Sequence, residues 1–290
     1  MDLPLLIQVA SCRRDGAVRD LSLLLQARSI RHHVARGLDG TWEVLVEEGD
    51  AARARAEIRA YREENATWTG RLTPDPARPG AWVGSAWYVL VLLGFFAFQG
   101  DPSGAWREGI AAAARILGGE VWLAVTALVL HADLLHLAGN LAFGALFGFL
   151  VAAEVGSGPA WLAILLAGGL GNLLNAWVQG AEHRSLGAST GVFAAVGVLS
   201  VLEWVRRRDE GRLRRMAPPV LGLVLLGLYG VGGERTDVGA HLFGFLAGAL
   251  LGLPLARLRD RLEGRAAAAC GWAAGAVLFL AAWLAWQPAF

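Results

Sequence analysis

Gly187-Ala188-Ser189-Thr190-Gly191-Val192-Phe193-Ala194-Ala195-Val196-Gly197 sets a serine between two glycines at the head of an apolar run. Further on, Gly239-Ala240-His241-Leu242-Phe243-Gly244 sets a histidine at the head of another. A hydroxyl and an imidazole, each at the start of a hydrophobic helix, can make a nucleophile and its base. In soluble hydrolases the Gly-x-Ser-x-Gly pattern marks a strand–turn–helix elbow. Here no strand is expected before it and the run that follows is of membrane length, which argues against that fold. Taken singly, each residue also has a plainer reading: a small serine for helix packing, and a satisfied core histidine.

Composition supports a membrane setting. Of 290 residues, 55% are hydrophobic, well above a soluble domain. The formal net charge of +1 gives no reason to expect nucleic acid as a partner. Every basic residue is arginine, which reads as compositional bias. Cys12 and Cys270 lie far apart and imply neither a disulfide framework nor a metal site. The polar N-terminus lacks the pattern of a cleavable signal peptide.

Residues 1–72 read as a small cytoplasmic α+β domain. Leu5–Val9 is a strand candidate, Asp15 to about Val34 a helix, and Trp42–Val46 a second strand. Asp50 is placed to cap a helix over Ala51–Glu64. His32 and His33 read as solvated. Residues 73–81, with Pro74, Pro76 and Pro79, form a linker, because proline suits neither helix nor ladder.

A bilayer core takes about 20 apolar residues per helix. The expected spans are Ala81–Phe98, Leu134–Ala153, Pro159–Val178, Ala188–Val205, Pro218–Val231, Val238–Leu255 and Ala268–Trp286. The half-apolar gap Gln99–Asp133 is expected to hold an interfacial helix over Trp106–Leu117. Arg206, Arg207, Arg208, Arg212, Arg214 and Arg215 crowd one loop, and Arg257, Arg259, Arg261 and Arg265 another. By the positive-inside rule both face the cytoplasm. The N-terminus is then cytoplasmic, and the C-terminus and the long loop lie outside. The fourth and sixth spans therefore both start on the outer side, which puts Ser189 and His241 at similar depth. Gly244, Gly248 and Gly252 on the sixth span, with Gly191 and Gly197 on the fourth, permit close backbone approach.

At the head of the second span stands His131-Ala132-Asp133-Leu134-Leu135-His136-Leu137-Ala138-Gly139-Asn140. His136 and Asn140 share a helix face, and both can donate to a developing oxyanion; the plainer reading is polar packing between helices. His131 reads as a brace for the long loop. Asn172 and Asn175 read as interhelical hydrogen-bond partners, and His183 as solvated.

Together, Gly-Ala-Ser-Thr-Gly, Ala-His-Leu-Phe-Gly-Phe-Leu-Ala-Gly and His-x4-His-x3-Asn resemble the rhomboid family of intramembrane serine proteases. The resemblance covers about Trp82–Leu255 and extends to Glu120-Val121-Trp122, although Leu123 follows where the family usually has arginine. It implies an all-α polytopic membrane protein: a six-helix core over residues 82–256, then a cytoplasmic loop and seventh helix over 257–290, as in bacterial members with an N-terminal cytoplasmic domain. By the same resemblance Ser189 is the nucleophile and His241 the base, without an obvious third carboxylate. His136, Asn140 and the Ser189 N–H form the oxyanion site, Phe193 packs on the histidine, and Gly187 lets the loop approach substrate. The implied reaction is peptide-bond hydrolysis through an acyl-enzyme, with no metal and no cofactor. Its substrates would be single-span or other transmembrane proteins in a bacterial inner membrane, with the lipid bilayer as the other partner. Two alternatives stand beside it. One is an inactive rhomboid-like protein that binds transmembrane helices, from which a serine or histidine would be missing. The other is a small transporter, whose polar groups would gather at the bilayer midplane.

Overall fold

The computed structural model describes residues 5–12, 15–37, 40–64, 77–101, 103–208, 211–229 and 237–287. The chain divides into two compact units, Met1–Pro74 and Asp75–Phe290, and each is described by itself.

In the first unit, β1 (Leu6–Cys12), β2 (His32–Arg36) and β3 (Trp42–Glu47) form an antiparallel sheet in the order β1-β3-β2. Helices α1 (Asp15–Ala27) and α2 (Ala51–Glu64) lie on one side. Leu21 and Leu25 from α1, with Ala54 and Ile58 from α2, bury against Val44 and Val46 of the central strand. The helix expected to reach Val34 stops at Ala27. Ser29 adopts a left-handed φ of 54°. Its N–H donates to Gln26 O (3.0 Å), and the Ile30 N–H donates to Leu25 O (2.9 Å). That paired arrangement ends helices and normally carries glycine at the left-handed position; with serine there no stop signal marks the end of α1 or the start of β2. The solvated reading of His32 is also corrected. Its Nε2 lies 2.7 Å from Ser22 Oγ and its Nδ1 3.1 Å from Ile30 O.

The second unit begins with α3 (Ala81–Phe98). After the loop come α6 (Leu134–Val155), α7 (Ser157–Gln179), α8 (Ser189–Arg206), α9 (Arg212–Tyr229), α10 (Val238–Leu258) and α11 (Gly264–Ala285). All but α9 are long and apolar enough to cross a membrane, six in total among the described residues. The fifth expected span, Pro218–Val231, overlaps α9, whose first turn carries Arg212, Arg214 and Arg215; residues 230–236 lie outside the described set. Thr73–Pro76 of the expected linker also lie outside it. Arg78, by contrast, is anchored within this unit. It donates to Glu154 O (3.1 Å) and Arg259 O (3.1 Å) and pairs with Glu263 (2.8 Å).

The single interfacial helix expected over Trp106–Leu117 is instead broken into three pieces. A 3-10 turn (Ala105–Gly109) leads into β4 (Ala111–Ala112), which pairs with β5 (Arg184–Ser185), and then into α4 (Ala113–Leu117). A Cβ on Gly109 would come within 2.4 Å of the Trp286 ring, so the chain passes tightly beneath the end of α11. Arg115 braces this loop, donating to both oxygens of Glu120 (2.9 and 2.5 Å) and to Glu108 (2.8 Å). The pairing raises the Arg115 pKa and lowers that of Glu120, each chiefly through the shared hydrogen bonds. Leu123, which opens the short helix α5 (Leu123–Thr126), is fully buried in a cluster that includes Ala285 of α11.

Helix α10 packs on α8 with backbone against backbone. A Cβ on Gly244 would lie 2.3 Å from Thr190 O, one on Gly248 2.0 Å from Ala194 O, and one on Gly197 2.1 Å from Phe245 O. The glycine stripe thus performs the close approach its spacing suggested. Gly191 faces a different neighbour: it lies against Gly168 of α7, not α10.

Candidate active site

The seam between α8 and α10 sets two helix starts side by side. Ser189 is the first residue of α8, so its N–H has no acceptor within the helix. His241 lies in the first turn of α10, whose cap is Asp237: the Asp237 side chain accepts from the Ala240 N–H at 3.0 Å. The two side chains meet across the seam, with Ser189 Oγ 2.7 Å from His241 Nε2. His241 is buried and Ser189 is half-buried. The Phe193 ring, one helical turn beyond Ser189, lies 4.6 Å from the imidazole at a tilt of 34°.

Opposite them stands the head of α6. Asp133 caps this helix by accepting from the His136 N–H at 2.8 Å. Asn140 is buried, and its side-chain Nδ2 donates to His136 O (3.0 Å) while its backbone carbonyl accepts from the Tyr88 hydroxyl (2.8 Å). One Nδ2–H of Asn140 is thus engaged on its own helix and the second remains for another acceptor.

Gly187 joins the two sides. Its φ of 131° lies in the region that L side chains rarely adopt. A Cβ there would sit 2.6 and 2.7 Å from His136 Cε1 and Nε2, and 3.7 Å from Ser189 Oγ. Its N–H donates to Ala127 O (2.9 Å), which fixes the turn that delivers Ser189.

His131 is almost fully buried, at 1% exposure. Its backbone N–H and C=O are both held by the Gln99 side chain, each at 2.8 Å. The Ala188 N–H points at its Nε2 (3.4 Å), and its ring lies 5.2 Å from that of His136. Burial, followed by the charge of the neighbouring His136, pushes the His131 pKa down to about 4. It stands beside the Ser189 turn as a neutral strut.

Asn172 behaves as an interhelical partner, accepting from Thr190 Oγ1 (2.9 Å) and donating to Ala124 O (2.8 Å). The reading of His183 is corrected: it is not simply solvated. Its Nε2 lies 2.8 Å from Asp237 Oδ2, which also accepts from Asn175 Nδ2 at 2.7 Å. Burial alone would raise the Asp237 pKa. The hydrogen bonds from the Ala240 N–H, His183 and Ser185 outweigh it and hold the carboxyl below its ordinary value. Sequence reading missed this carboxylate. The available signal was an aspartate three residues before an N–H at a helix start.

Residues 118–258 match the family model described as Rhomboid domain. Residues 118–258 thus carry a rhomboid domain, and the six apolar helices among the described residues fit an integral membrane protein. Three relatives show the range of similarity. "Rhomboid-like protease 3" of Toxoplasma gondii is 31% identical over 147 residues, covering 49% of this chain and 55% of that one. "Rhomboid-like protein 11, chloroplastic" of Arabidopsis thaliana is 33% identical over 130 residues, 44% of this chain and 42% of that one. "Rhomboid protease GluP" of Bacillus subtilis (strain 168) is 32% identical over 146 residues, 49% of this chain and 28% of that one. The chain spans about half the length, or less, of these curated relatives.

Proposed function

We propose that this protein is an intramembrane serine endopeptidase that cuts peptide bonds in or near transmembrane segments of membrane-protein substrates. The observation that carries the reading is the 2.7 Å contact between Ser189 Oγ and His241 Nε2, both within the residues that match the Rhomboid domain model.

The chemistry follows from that geometry. Ser189 Oγ–H donates to His241 Nε2, so the imidazole takes the proton as Oγ attacks the scissile carbonyl. Phe193 holds the ring against the seam. Negative charge on the carbonyl oxygen is met by the Ser189 N–H, the His136 ring and the second Nδ2–H of Asn140, as donors at an oxyanion hole. His241 then passes its proton to the leaving amine, leaving an acyl-Ser189. Water, deprotonated by the same imidazole, releases the acid and restores the hydroxyl. No metal or cofactor enters these steps. By the positive-inside rule the arginine-rich loops face the cytoplasm. The first unit is then cytoplasmic, the dyad opens to the outer side, and the C-terminus lies outside, in a bacterial inner membrane.

A fluorophosphonate label on purified protein tests the reading. Wild type takes one covalent label at Ser189, and Ser189→Ala and His241→Ala take none while melting as the wild type does. Cleavage of a single-span reporter by purified Ser189→Ala at the wild-type rate would remove the dyad.

A further inference from the structure

Asp237 holds two parts of the site at once. Its Oδ1 caps the helix that carries His241, and its backbone oxygen accepts from the His241 N–H at 3.1 Å. Its Oδ2 reaches the other way, to His183 Nε2 (2.8 Å) and Asn175 Nδ2 (2.7 Å). The Ser185 hydroxyl also bonds the carboxyl. His183 and Ser185 belong to the strand-like run that leads into Gly187 and Ser189. That run is itself pinned: the Ala113 N–H donates to His183 O (2.9 Å), and β5 pairs with β4. The same carboxylate therefore binds both the loop that delivers the serine and the helix start that delivers the histidine.

The proton positions are constrained. A carboxylate only accepts, so His183 Nε2 must carry a hydrogen to lie 2.8 Å from it. Asn175 Nδ2, 3.1 Å from the same nitrogen, is then a close neighbour and not a donor to it. Glu182 and Arg184 flank His183 on the same loop, both exposed. From α7 the neutral Asn175 faces the carboxylate. The hydrogen bonds to it hold Asp237 ionised, below the ordinary carboxyl range.

We propose that Asp237 and His183 are a positioning pair, which sets the register of Ser189 against His241 by tying the serine's loop to the histidine's helix. The proposal rests on the dyad reading above. Asp237 does not touch the reacting atoms; it acts through the placement of His241 and Ser189.

The test uses Asp237→Asn and Asp237→Ser. Both residues cap helices about as well as aspartate, so a role limited to capping leaves the variants unchanged. Neither offers a carboxylate to His183. In detergent-purified full-length protein, both variants melt near wild type. Their fluorophosphonate labelling rate and kcat fall about tenfold or more, with KM unchanged, a loss typical of a misplaced reacting pair. His183→Ala shows the same fall, His183→Gln (which keeps a donor) recovers part of it, and combining Asp237→Asn with His183→Ala adds little to either. Labelling rates equal to wild type in both Asp237 variants, or falling only in step with their melting temperatures, overturn the positioning pair. A wild-type protein that takes no label at Ser189 overturns the dyad reading beneath it, and that result is seen before any variant is compared.

Discussion

Ser189 and His241 face each other at 2.7 Å because Gly248 and Gly197 let α8 and α10 touch backbone to backbone along the rest of their length. The contact is a property of the seam as much as of the two side chains. Any residue that opens the seam is expected to lengthen it.

Gly248→Ala is the direct case. The added methyl would meet Ala194 O at 2.0 Å, a distance no packing tolerates. Overpacking of this kind costs roughly 1–3 kcal/mol. The expected outcome is a lower melting temperature in detergent together with slower labelling of Ser189. Gly139→Ala serves as the control, since a Cβ there meets nothing within 4 Å. Equal loss in both variants would show that the seam is not what matters.

Gly187→Ala adds strain and a clash at one position. An alanine resists a φ of 131°, and its Cβ would overlap the His136 ring. Substitution where φ is positive destabilises by about 1 kcal/mol or more. The larger effect is expected in kcat, because the residue sits between His136 and Ser189 Oγ. A variant with wild-type kcat would mean that this turn moves freely without consequence for the site.

His136→Ala and Asn140→Ala are expected to lower turnover without abolishing it. Under the proposed mechanism each removes one donor to the oxyanion, typically worth roughly 10²–10³ in rate. Fluorophosphonate labelling and single-span cleavage should fall together. Unchanged kcat in both would return the two residues to helix packing.

His131 predicts how stability responds to acid. Its folded-state pKa is about 4, below the unperturbed value of about 6.5. On acidification the unfolded chain therefore takes up a proton before the folded one does. Stability is full above about pH 6.5 and falls as pH drops towards 4, by at most roughly 3 kcal/mol from this group. His131→Gln should flatten that decline. The check is the melting temperature of wild type and variant at pH 7 and pH 5; parallel losses would clear His131 of the effect.

Deleting residues 1–75 removes the first unit at the division after Pro74. Every residue given a role above lies beyond the cut. The truncated protein is expected to melt as a folded membrane unit and to label at Ser189. A folded truncation that takes no label would assign the first unit a part in activity.

Much of this was legible in the sequence because the signals are local and periodic. Uninterrupted apolar runs announced α3, α6, α7, α8, α10 and α11 to within a few residues, since hydrocarbon thickness dictates their length. The motif residues Ser189, His241, His136, Asn140, Gly187 and Phe193 stood at helix starts, where helix polarity and arginine placement already implied a common depth. Tertiary structure alone decided the rest. The stop of α1 lies in a left-handed Ser29 with no glycine to announce it, so β2 was hidden. The region Trp106–Leu117 looked helical but broke where Trp286, far away in the chain, closes over Gly109. His183 and Asp237 looked unremarkable in isolation, because a buried hydrogen bond between distant residues leaves no periodic trace. Hydrophobic pattern fixes which segments are helices and how long they are; which polar groups face each other is set by how those helices pack, and that required the folded chain.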